Sequence, residues 1–151
     1  MQIIRGLILL AVIPLIGAAC PTSPDGSTEL QRARARWASQ GLADYRYDYA
    51  RTCYCLQEAT RPVTIEVRDG IVVSVVDRQT GQVVTTLHGQ PWPTISDLFA
   101  EVTRATREAD DFHVTYDPER GHPTEFFADW VEQMADDESG FMATNVRSAP
   151  R

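Results

Sequence analysis

The amino-acid sequence predicts an α+β domain: an antiparallel meander sheet with two helices on one face, in the order helix, three strands, helix, three strands. Three observations carry this. Tyr45, Tyr47 and Tyr49 alternate with Arg46, Asp48 and Ala50, the period-2 pattern of a half-buried strand. Asp69–Gly70 separates two alternating apolar runs, as in a tight hairpin. Two further segments, opening at Thr28 and Thr94, place apolar residues at helical spacing.

The first helix runs from about Thr28 to Gln40. Thr28 and Gln31 make a capping box, Leu30, Ala33 and Trp37 form the apolar stripe, and Gly41 stands where a left-handed C-cap is wanted. Arg32, Arg34 and Arg36 read as a solvated face. The tyrosine strand follows, then Val63, Ile65 and Val67, the Asp69–Gly70 type I′ turn, and the return strand Ile71 to Val76. A turn at "DRQTGQ" leads to a short strand, Val83 to Leu87. Thr94 with Asp97 caps the second helix, whose stripe is Ile95, Leu98, Phe99, Val102 and Ala105. Glu108, Asp110 and Asp111 oppose the helix dipole and stop it near Ala109. "HVTY" and "PTEFFADWV" are strands joined by the turn chemistry of Asp117, Pro118 and Gly121, and "FMATNV" is the last strand.

The start of the chain reads differently. "MQIIRGLILLAVIPLIGAAC" has one charge at Arg5, an uncharged run from Gly6 to Ile16, and small residues before Cys20, which is the pattern of a secretory signal peptide over residues 1–19. Pro14 interrupts the apolar run, which is shorter than the roughly 20 residues a membrane span needs. Cys20 resembles the lipobox cysteine of bacterial lipoproteins, with Gly17 where an aliphatic residue is usual. The expectation is acylation of Cys20 and a lipid anchor that places the protein outside the cytoplasm, on a membrane of the cell envelope. Ordinary cleavage after Ala19, giving a secreted or periplasmic soluble protein, is the alternative. Residues 20–27 form a flexible tether, 28–147 the single domain and 148–151 a disordered tail.

The net charge of −7, with arginine as all 14 basic residues and no basic cluster, argues against a nucleic-acid partner. There is no nucleophile elbow, HExxH or Gly-rich phosphate loop. Asp117, His122 and Asp129 flank one hairpin, but turn chemistry accounts for Asp117 and an extended loop for His122. His88, His113 and His122 lack ligand spacing, and Asp136, Asp137 and Glu138 lack the oxygen pattern of an EF-hand, so neither a metal nor a cofactor is expected.

With Cys20 acylated, Cys53 and Cys55 are the remaining thiols, and in an oxidising compartment they pair. Two residues of ideal strand advance about 6.6 Å, at the upper edge of what a disulfide spans, with side chains parallel. The pairing therefore predicts a bulge or bend at Tyr54, or the end of the strand. A structural kink, a redox couple and a metal site stay open as roles. Tyr47, Trp92, His122 and Phe127 are the candidate interaction surface. Phe126 and Phe127 are consecutive, so they point to opposite faces, and an exposed one would mark protein binding.

"YRYDYARTCYC", "PVTIEVRDGIVVSV", "PTISDLF", "VTYDPERGHPTEFFAD" and "DDE" together resemble a bacterial family of secreted or lipid-anchored proteins, the domain of unknown function 6174, over most of Trp37 to Val146. The chain departs from that pattern at His122, where tyrosine is usual. The resemblance implies the domain boundaries and the compartment, and no mechanism. "VRDGIVVSVVDRQTG" is also similar to small extracytoplasmic modules that bind or inhibit proteins, such as PepSY domains. The functional expectation is a non-enzymatic binding or interaction module for an unknown protein or small ligand. The alternative is a thiol-redox or metal-handling protein built on Cys53 and Cys55.

Overall fold

The structure, a computed structural model, describes residues 26–85 and 91–149. The signal-peptide segment, Cys20, most of the tether and His88 lie outside the described residues. The elements run α1 (Gly26–Ser39), β1 (Tyr45–Cys53), α2 (Gln57–Thr60), β2 (Val63–Arg68), β3 (Ile71–Asp77), α3 (Ile95–Glu108), β4 (Asp111–Tyr116), β5 (Pro123–Asp129) and β6 (Ser139–Ser148). The fold is α+β, with one six-stranded sheet whose pairs are all antiparallel.

The sheet is not one meander in chain order. Its strand order is β3-β2-β1-β6-β5-β4, so two three-stranded meanders lie side by side, joined where the first strand pairs with the last. This arrangement puts the tyrosine strand at the centre, where its apolar face is covered on both sides. Tyr45, Tyr47 and Tyr49 oppose Val67, Ile65 and Val63 in register, and all six are buried. The stripe Ile95, Leu98, Phe99, Val102 and Ala105 of α3 is buried with them, as are Leu30 and Ala33 of α1. The Tyr47 hydroxyl donates to the Pro93 carbonyl just ahead of α3.

Local signals settle most boundaries. Asp69 and Gly70 have φ of 49° and 77°, which only Gly and short polar residues adopt readily, and they turn β2 into β3. At α3 the capping box is complete: the Asp97 N–H donates to Thr94 Oγ1 (3.2 Å) and the Thr94 N–H to Asp97 Oδ2 (2.8 Å).

Three further expectations are corrected. α1 opens at Gly26, so Thr28 lies inside the helix rather than at its cap. Arg32, Arg34 and Arg36 are exposed, as expected, and the Arg34 guanidinium also donates to the Phe99 carbonyl (2.9 Å) and to Thr103 Oγ1, tying α1 to α3. The chain has a third helix, the four-residue α2, which a segment that short does not announce by periodicity. The strand from Val83 is reduced, among the described residues, to a single bridge from Val83 to Val76 at the edge of β3. No described helix is long and apolar enough to cross a membrane.

The sheet face opposite the tyrosine stripe is polar at its centre. Asp48 is buried there, accepting from Thr64 Oγ1 (2.7 Å) and Asn145 Nδ2 (2.8 Å), with Arg78 at 3.5 Å. Burial pushes this carboxyl up, but those hydrogen bonds and the charges of Arg78 and Arg147 outweigh it and hold the carboxyl below its ordinary value.

Candidate functional site

Of the four candidate surface residues, the structure leaves one exposed. Tyr47 is completely buried, and Trp92 packs edge-on against Tyr49 with ring centroids 6.3 Å apart. His122 fills a slot against Trp37, centroids 5.9 Å apart. All three are buried: Tyr47 on the sheet face that carries the tyrosine stripe, Trp92 in the segment ahead of α3 and His122 at the β4–β5 turn. Phe127 is 42% exposed while its neighbour Phe126 is buried, so the alternation of β5 holds.

Exposed apolar side chains occur along β3 at Ile71 and Val73, at Val83, on β5 and β6 at Phe127 and Met142, and at the end of the sheet where β1 stops. Cys53, the last residue of β1, pairs with Ser139, the first of β6, and Ser139 accepts from the Trp130 indole at 2.8 Å. Cys53 and Cys55 are joined in a disulfide with Cα atoms 5.3 Å apart. That is closer than ideal strand allows, and the chain bends at Tyr54 and Cys55, as the geometry requires. The bend turns Tyr54 outward, 80% exposed, and leaves Leu56 67% exposed.

This loop is pinned on both sides. Upstream it is anchored by the β1–β6 ladder. Downstream, Leu56 is the N-cap of α2, its carbonyl accepts from the Ala59 N–H at 2.8 Å, and Ala59 is buried. Between these anchors Cys53, Tyr54, Cys55 and Leu56 line a groove of about 450 Å³. The β5–β6 connection at the same end adds two more exposed apolar side chains, Val131 and Met134. Scattered single hydrophobics are ordinary on a surface, but several at one place mark a contact region.

The electrostatics of this end are one-sided. From Asp129 to Ser139 the chain has five acidic residues and no basic one: Asp129, Glu132, Asp136, Asp137 and Glu138. Asp110 joins them, its Oδ2 accepting from the Glu132 N–H at 2.9 Å. Desolvation, then the negative charges of Asp137, Glu138, Asp110 and Glu132, push the Asp129 carboxyl above its ordinary value. One cation reaches this end from α3: the Arg104 guanidinium lies 3.6 Å from the Trp130 ring centroid, so the five carboxylates are offset in part but remain in excess. Among the described residues no group of three or more His, Cys, Asp or Glu is arranged to hold a metal.

Asp117, His122 and Asp129 do not converge. Asp117 accepts from the Glu119 and Arg120 N–H groups inside the β4–β5 turn, at 3.0 and 2.6 Å. His122 is buried at that turn, while Asp129 closes the far end of β5, roughly 20 Å of strand away. The sequence places a bend at Tyr54 without marking it as a contact residue, and nothing in its periodicity marks Leu56 or Met134 as exposed. A signal for Tyr54 was present, since a disulfide across two residues forces the one between them out of the strand.

A search of curated proteins finds none that matches the chain. The model of a family of unknown function, DUF6174, matches residues 29–148, from inside α1 to the last residue of β6, and the chain belongs to that family.

Proposed function

We propose that the protein is a non-enzymatic binding module of the bacterial cell envelope, held to a membrane through an acylated Cys20, that engages a partner protein with its disulfide loop. The observation that carries this is the outward display of Tyr54 and Leu56 on a loop pinned at both ends. A rigid loop loses little conformational freedom on binding, so an exposed aromatic and a leucine held there bind more favourably than the same residues on a mobile segment. The N-terminal pattern of Arg5, the uncharged run and Cys20 supports the anchor and the compartment.

The second reading keeps the same residues and makes the dithiol the active group, a redox or metal-handling role favoured by the solvent exposure of Cys55. Replacing both cysteines by serine separates the two. A three-residue disulfide loop contributes only about 1.6 kcal/mol by chain entropy, so the binding module keeps its fold with a modest loss of stability and retains its partner at reduced affinity. Complete loss of function with the fold intact would instead assign the activity to the thiols.

A further inference from the structure

We propose that the partner presents a basic segment with an apolar anchor, which seats on Tyr54 and Leu56 while its Lys or Arg side chains meet the acidic β5–β6 connection. This rests on the binding reading above and specifies the partner's chemistry. Tyr54 and Leu56 follow directly from Cys53, Cys53 pairs with Ser139, and Ser139 ends the run that contains Glu132, Asp136, Asp137 and Glu138. The exposed apolar loop and the acidic connection are therefore neighbours at one end of the sheet. Val131 and Met134 stand exposed within that connection.

Charge selects among occupants. An anionic lipid surface meets repulsion from five carboxylates in eleven residues, against which the cation at that run is Arg104 over Trp130. A second copy docked by the same end would set the same carboxylates against each other. A cationic peptide relieves their mutual repulsion and, through its apolar residue, covers the exposed loop. Apolar anchors set affinity in such interfaces and the charged rim sets on-rate and specificity.

The test uses the purified domain and labelled synthetic peptides in fluorescence anisotropy: alternating Leu–Lys, alternating Ser–Lys and alternating Leu–Glu. The expected result is binding of Leu–Lys alone, weakened at about 1 M salt, where the Debye length is about 3 Å. Tyr54→Ser with Leu56→Ser should weaken it at least about tenfold, and Glu132→Gln with Asp136→Asn should weaken it mainly at low salt. Asparagine suits position 136, where φ is 72°.

Equal binding of Ser–Lys, binding of Leu–Glu, or indifference to the Tyr54 and Leu56 substitutions would overturn the proposal. So would binding to phosphatidylglycerol vesicles through the same two residues. If Leu–Lys fails to bind while a photocrosslinker at position 54 still captures a partner in the envelope, the basic partner is wrong and the binding module stands. If both fail, both fall.

Discussion

The buried Tyr45 hydroxyl accepts a hydrogen bond from the Ile95 backbone N–H at 3.1 Å. Ile95 is the first residue of α3, where the N–H has no partner within the helix, so a side chain of the central strand supplies it. Sheet and helix are thus joined by a polar contact inside an apolar layer. Tyr45→Phe keeps the ring and strands the donor. The expected cost is about 1–3 kcal/mol, read as a lower denaturation midpoint with unchanged slope in urea.

Gly121 is fixed by α1. Its φ is +84°, and a Cβ there would fall on the Ala33 carbonyl oxygen and 2.8 Å from Arg36 Cβ. The β4–β5 turn therefore approaches the helix backbone as closely as a residue without a side chain permits. Gly121→Ala is expected to destabilise by more than about 1 kcal/mol, through strain and displacement of α1 together. Near-ultraviolet circular dichroism of Trp37, which packs on Tyr45 beside this turn, should change with it.

Two groups give opposite pH responses. Burial holds the His122 imidazole below its ordinary 6.5 against the pull of Asp117, so the unfolded chain takes up the proton first. Stability is then lost as pH falls from about 6.5 through the folded value, and His122→Phe should remove that loss. Asp129 is shifted upward from 3.8, so its charged form penalises the fold above the folded value and the penalty fades on acidification. Asp129→Asn should raise the melting temperature at neutral pH and give no difference once pH falls below 3.8. Thermal melts across this range check both signs.

What the sequence made legible was local. Asp69–Gly70 and the Thr94–Asp97 box specify their turn and cap within four residues, and the structure has both. The β1–β6 pairing sets Arg46 opposite Arg147, and no short-range pattern encodes a contact across that separation. The alternation of Tyr45, Tyr47 and Tyr49 points to a strand with a packed face, whereas Trp92 and His122, which lie off the strands, were legible as aromatic or polarisable groups but not as core. Burial depends on which face α1 and α3 cover, and that follows from topology. The cysteine pair was the intermediate case: chemistry required a bend at Tyr54, whereas its adjacency to the acidic β5–β6 connection appears only with β6 in place.

The central claim is that Tyr54 and its loop touch a partner protein. Its most direct test is photocrosslinking in the native envelope, with a benzophenone amino acid in place of Tyr54 and, as control, in place of Gln82, which is exposed beyond β3. The account predicts a discrete adduct from position 54 that is absent from position 82 and is lost with Leu56→Ser. No adduct from position 54, or the same adducts from both positions, would contradict it.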